Sequence, residues 1–275
     1  MNVKIMEPVA ENEKNLSGDS GSMARRMLNK VPEVTLFFWV IKILCTTVGE
    51  TAADYLIENL HWGLTHTTYV MGGFLLVALA FQFRARKYVP ALYWIAVVLL
   101  SIVGTLITDN LTDHFKVPLM TTTIVFALAL TATFAAWQAK EKTLSIHSIT
   151  TSRREAFYWL AILFTFALGT AAGDLVGEKF GLGYLVSLLL FAGTIAAIIV
   201  AHFGFKMNAI LSFWLAYILT RPLGASIGDY LSQPHSAGGL GLGTIGTSAL
   251  FLVAILGLVI YLSITKRDAL NAQIN

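Results

Sequence analysis

Charge is what this 275-residue sequence has least of. Asp, Glu, Lys and Arg together make up 13% of it, against about 25% in an ordinary soluble domain. Apolar residues reach 56% and the mean hydropathy is +0.70. The stretches 119–137, 184–201 and 245–263 carry no charge at all, and about 20 apolar helical residues cross a hydrocarbon core. A soluble fold is thereby excluded. Cysteine is nearly absent too, and Cys45 alone rules out an internal disulfide framework. Proline is scarce: Pro32, Pro90 and Pro118 fall at predicted helix starts, and Pro222 falls inside a predicted span, where it is expected to kink the helix. The glycine-rich stretch 238–243 lacks a following Lys-Ser/Thr pair, so it reads as a flexible approach to the last span and not as a phosphate loop.

What is present is an alternation of apolar runs and short polar connections. Residues 1–30 read as a flexible cytosolic tail. Eight spans follow at about 34–57, 63–83, 90–111, 118–138, 156–177, 181–203, 209–230 and 243–264. They divide into 31–139, a basic connecting loop at 140–154, and 155–265, with a second cytosolic tail at 266–275. The fold class expected is all-α, a polytopic membrane protein whose partner is the lipid bilayer. Of nineteen Lys and Arg residues, only Lys116, Lys179, Lys42 and Arg221 lie away from one side of this arrangement. The positive-inside rule therefore puts both termini in the cytoplasm. The basic residues line a membrane face, so the net charge of +3 does not point to nucleic acid.

An internal repeat decides the architecture. Trp, nine residues, Gly, four residues, Asp occurs four times: Trp39/Gly49/Asp54, Trp94/Gly104/Asp109, Trp159/Gly169/Asp174 and Trp214/Gly224/Asp229. Successive aspartates are 55, 65 and 55 residues apart, and the extra ten fall in the loop at 140–154. Each unit holds two spans, so the four repeats are parallel, arranged as a pseudo-fourfold or a two-plus-two assembly. The pairs Gly49/Ala53, Gly104/Thr108, Gly169/Gly173 and Gly224/Gly228 place small residues four apart, which lets helix backbones approach closely in lipid.

Eight acidic residues gather at the outer ends of the odd-numbered spans: Glu50, Asp54, Glu58, Asp109, Asp113, Asp174, Glu178 and Asp229. The fourth repeat has Gln233 where the others carry an acid. His61, His66, His114 and His235 lie on the same side. Carboxylates at helix C-termini meet the negative end of the helix dipole, so a cluster of them calls for protonation, for pairing with Lys42 or Arg221, or for a bound cation. Asp54, Asp109, Asp174 and Asp229, aided by Glu50, Asp113 and Glu178, are the expected cation or metal ligands. Oxygen and imidazole donors suit manganese, zinc, iron or nickel better than a soft metal. Cys45 faces away from Asp54 and reads as a small packing residue. The aromatics Phe37, Phe38, Tyr93, Phe157 and Tyr158 adjoin the repeat tryptophans and read as an interfacial belt.

On the fourfold Trp…Gly…Asp motif, the chain resembles a bacterial integral-membrane family built from four tandem two-helix repeats with a characteristic tryptophan. The resemblance covers about residues 34–264 and implies eight spans in a bacterial inner membrane. It brings no activity or catalytic residues. The function expected from the residues is a transporter of a small cation or protons, with no cofactor beyond a bound cation. The alternatives are a scaffold or sensor with structural aspartates, or an intramembrane aspartyl enzyme. The last lacks a G-x-G-D motif, since Ala-Ala-Gly precedes Asp174 and Ser-Ile-Gly precedes Asp229. A homo-oligomeric state is left open.

Overall fold

The computed structural model describes residues 29–268, apart from the side chains of Glu58 and Glu178. The tails at 1–28 and 269–275 lie outside the described residues. Eight helices are each long and apolar enough to cross a membrane, and there is no strand among the described residues. They are α1 Leu36–Asp54, α2 Leu64–Arg84, α3 Pro90–Asp109, α4 Leu119–Glu141, α5 Ser152–Asp174, α6 Gly183–Phe205, α7 Ala209–Ser232 and α8 Gly243–Thr265. The chain is a multi-pass membrane protein. In lipid no water meets a free backbone amide, so each crossing segment closes its own hydrogen bonds as a helix. Local chemistry sets the ends. Thr35, Thr151 and Asn208 cap α1, α5 and α7 with side-chain oxygens, and Pro90 opens α3. The helix α7 runs on through Pro222 to Ser232.

The odd-numbered helices form the interior. Between 56% and 67% of their apolar windows is buried, against 11–28% for the even-numbered helices. They contact one another in the closed order α1–α3–α5–α7–α1. The even helices lie outside, α2 on α3, α4 on α5, α6 on α7 and α8 on α1. The second helix of each repeat thus packs chiefly against the first helix of the next. The arrangement is a pseudo-fourfold ring.

The glycine of each repeat makes the ring possible. A Cβ on Gly49 would lie 1.9 Å from Ser101 Oγ, and one on Gly104 would lie 2.6 Å from Phe166 Cβ. On Gly169 it would lie 2.4 Å from Arg221 Cγ, and on Gly224 1.9 Å from Thr46 Oγ1. Ser101, Phe166, Arg221 and Thr46 each stand three residues before the next glycine in the ring. One contact is therefore made four times, glycine against the neighbouring helix, around a common axis. Glycines of the outer helices, such as Gly72, Gly193 and Gly257, meet nothing within 4 Å.

Aromatic residues close one end of the ring. Phe38, Tyr93 and Tyr158 are 0–1% exposed, and Trp94, Trp159 and Trp214 are buried with them. This corrects the reading of Phe38, Tyr93 and Tyr158 as an interfacial belt. Each stands one residue before its tryptophan, on the helix face that also carries Lys42 four residues after Phe38, and that face points to the axis. Trp39 is half-buried and packs at a tilt against Phe213 with centroids 5.6 Å apart.

Two further segments cover this tryptophan end. The connection after α4 buries Ile146 and Ile149, and Leu144 accepts a hydrogen bond from Trp214 Nε1 at 3.0 Å. Asn29 and Lys30, assigned to the tail by sequence, are buried, and Lys30 Nζ pairs with Glu155 at 2.6 Å. Trp214→Phe keeps the ring and removes the bond to Leu144. It should cost about 1 kcal/mol and speed tryptic cleavage at the connection, measured by limited proteolysis.

Candidate functional site: a four-aspartate vestibule

Three of the four repeat aspartates are the last α-helical residue of their helix: Asp54, Asp109 and Asp174. Each is followed by one turn of π-helix, at Tyr55–Asn59, Asn110–His114 and Leu175–Lys179. Such wide turns occur preferentially at functional positions. The chain then turns sharply with positive φ at the equivalent residues His61 (53°), Lys116 (56°) and Gly181 (69°). Only glycine adopts that conformation without strain, so two of the three repeats accept some strain to make the turn. The fourth repeat departs: α7 continues three residues past Asp229, and Pro234 follows Gln233.

All four aspartates line one vestibule of about 590 Å³ at this end of the ring, together with Glu50, Asp113 and Gln233. Lys116 and Lys179 reach its wall as well, and Phe180 and Tyr184 supply aromatic surface. The helix C-termini aim their negative dipole ends at the same space, so a cation there is favoured twice, by side chains and by backbone. No group of three or more His, Cys, Asp or Glu side chains stands close enough to hold a metal ion among the described residues.

Its floor is a buried ion pair. Glu50, 8% exposed, accepts from Arg221 Nη2 at 2.6 Å, and Arg221 is fully buried. The same Nη2 donates to Thr105 Oγ1 and, at 2.8 Å, to Thr170 Oγ1, while Nη1 donates to the Thr46 carbonyl at 3.2 Å. Glu50, Thr105 and Thr170 occupy one position in the first three repeats, with Ala225 as the fourth. Three helices thus present the same register position to one guanidinium on the axis. Arg221 is the partner anticipated for the acidic cluster, and it acts through Glu50. The two threonines were not singled out from sequence, although aligning the four repeats on their aspartates would have exposed the Glu/Thr/Thr/Ala column.

Lys42 is placed differently from expectation. It meets no carboxylate: its Nζ has no hydrogen-bond partner among the described residues and stands 4.3 Å and 4.2 Å from the ring centroids of Phe166 and Tyr217. Cys45 is fully buried beside it, in the packing as expected. None of His61, His66, His114 and His235 lines the vestibule.

Residues 37–88, 92–143, 157–208 and 212–268 each match the family described as Repeat of Unknown Function (DUF347). The chain belongs to this family. The four DUF347 segments begin at the spacing of 55, 65 and 55 residues seen in the aspartates, and each holds one inner helix with the outer helix that follows it. No curated protein and no solved structure matches the chain significantly.

Proposed function

We propose that this DUF347 protein is a membrane carrier for a small cation, which enters through the four-aspartate vestibule. The observation that carries the reading is the convergence of four equivalent aspartates on one open space whose floor is the Arg221–Glu50 pair. The four aspartates, Glu50 and Asp113 outnumber the two lysines, Lys116 and Lys179, that line the same space, and this balance favours a positive ion there. Among the described residues the carboxylates line the space without forming a three-ligand cage, and a cation that keeps part of its water shell, as hard divalent ions do, suits such a space. An oxygen-rich donor set suits magnesium, calcium and manganese, and manganese serves as the probe among them. The buried aromatic layer and Lys42 close the ring below Arg221, which favours alternating access over an open pore.

The excess of basic residues near the tryptophan end supports a reading in which that end and both termini face the cytoplasm and the vestibule opens on the far side of a bacterial inner membrane. A test is the melting temperature of the purified protein against a panel of cations. A cation at about a hundred times its dissociation constant should add about 2.7 kcal/mol, and Asp109→Asn/Asp174→Asn should abolish the gain. A gain of equal size in the double variant would move the site elsewhere.

A further inference from the structure

Among the described residues two positive side chains lie buried on the axis of the ring, and one of them has a counter-charge. Arg221 is matched by Glu50. Lys42, 1% exposed, is the other. The charged or titratable groups facing it are Cys45 on its own helix and Arg221 and Tyr217 on α7, while α5 offers the Phe166 ring. None of these is a carboxylate. The residues equivalent to Lys42 in the other repeats are Val97, Ile162 and Tyr217, so the lysine is not a copy of the repeat motif. A buried ammonium without an acceptor is among the most costly groups a membrane interior can hold. Structural packing at this position is met by Val97 and Ile162 without that cost.

The surroundings suit both states of the amine. Two ring faces stabilise an ammonium, and an apolar pocket houses a neutral amine without an unmet charge. Between Lys42 and the tryptophan end stand several tyrosine hydroxyls, which are not joined in one hydrogen-bonded chain among the described residues. The Tyr217 hydroxyl has no partner among the described residues, and the Tyr93 and Tyr158 hydroxyls of α3 and α5 are 2.5 Å apart. The Tyr88 ring, 5.8 Å from that of Tyr93, carries a hydroxyl that donates to Asp268 Oδ2 at 2.5 Å. Burial holds the Asp268 carboxyl above its usual range.

We propose that Lys42 carries the proton that couples cation movement, so that the protein is a cation–proton exchanger. The proposal rests on the carrier reading above. In one half of the cycle an Nζ–H bond breaks, the electron pair stays on nitrogen, and the proton leaves toward the vestibule carboxylates, the side from which the cation comes. In the other half the neutral amine takes one proton back from the tryptophan end, where the Tyr217, Tyr93 and Tyr158 hydroxyls and Asp268 stand. One positive charge therefore leaves the axis as the cation's charge arrives.

Two measurements on the full chain test this. The first is lysine ¹⁵Nζ NMR of the detergent-solubilised protein, with the Lys42 resonance assigned as the one absent from Lys42→Met or, if that variant does not fold, from Lys42→Arg. It should pass between ammonium and amine positions within about pH 5–10, the span that lysines cover from buried to exposed. A resonance that stays in one form throughout overturns the proposal. The second uses proteoliposomes with a trapped pH dye and Mn²⁺ added outside. The wild type should change its internal pH as Mn²⁺ enters, whereas Lys42→Met and Lys42→Arg should admit Mn²⁺ down its gradient with that pH change lost. An unaltered pH change in both variants overturns Lys42 as the carrier. No entry of Mn²⁺, or of any cation in the panel, into wild-type vesicles defeats the carrier reading and the coupling with it, while the NMR titration still decides whether Lys42 exchanges a proton.

Discussion

Arg221→Met should be among the most damaging single changes in the chain. It strands the Glu50 carboxylate at the floor of the vestibule and removes the donor shared by Glu50, Thr105, Thr170 and the Thr46 carbonyl. Breaking a buried pair on one side costs about 3–5 kcal/mol, because the survivor keeps its desolvation penalty and loses its compensation. At about 2–4 °C per kcal/mol for a chain of this size, the melting temperature should fall by roughly 6–20 °C. Glu50→Gln should be milder, since two threonine hydroxyls and a carbonyl still accept from the guanidinium. The double variant Glu50→Leu/Arg221→Met removes both charges and should recover more than half of the loss, as apolar replacement of whole ion pairs often does. Thermal denaturation of the four proteins checks this, and a stable Arg221→Met would mean that the pair does not hold the ring together.

Gly104→Val should disrupt the ring itself. A Cβ at Gly104 would stand 2.6 Å from Phe166 Cβ and 3.2 Å from the Ala167 backbone nitrogen, so no flexible side-chain tip can move aside and two helices must part. Overpacking of this kind costs about 1–3 kcal/mol where the site can relax. Gly104→Ala should fall in that range, and Gly104→Val, with two further carbons, should exceed it and yield aggregated protein in gel filtration. Gly193→Ala on the outer helix α6 meets open space and should leave folding unchanged. An equal response at Gly104 and Gly193 would contradict close approach at the repeat glycine.

Which parts of this were legible in the sequence follows from what repeats record. The apolar period marks eight spans because lipid imposes one length and one hydrogen-bonding solution on every crossing segment. The Trp…Gly…Asp register survives in four copies because each glycine meets an equivalent neighbour, so a larger residue in any copy would open the same ring. The single-copy residues were harder. Arg221 and Lys42 stood out as charges inside spans, but nothing in one chain says which faces turn inward together. Arg221 found Glu50 because residues three before one glycine and one after another share the axis. Lys42, one turn farther from the aspartates, found only rings. Phe38, Tyr93 and Tyr158 were misplaced for a related reason: an aromatic near a helix end reads alike whether it faces lipid or the axis. The choice between a fourfold ring and a two-plus-two assembly needed the contacts of α7 with α1, which close the circle between the two ends of the chain.

The proposed carrier admits its cation through the vestibule. Uptake into proteoliposomes tests this most directly, with Mn²⁺ and the other panel cations supplied outside and the wild type compared with Asp109→Asn/Asp174→Asn at equal reconstitution. Both proteins should fold and insert alike, since neither change touches the glycine contacts or the Arg221 floor. The wild type should take up at least one cation with saturation and the double variant should lose most of that rate. Equal uptake by the two proteins, or none by the wild type for any cation, would contradict the account.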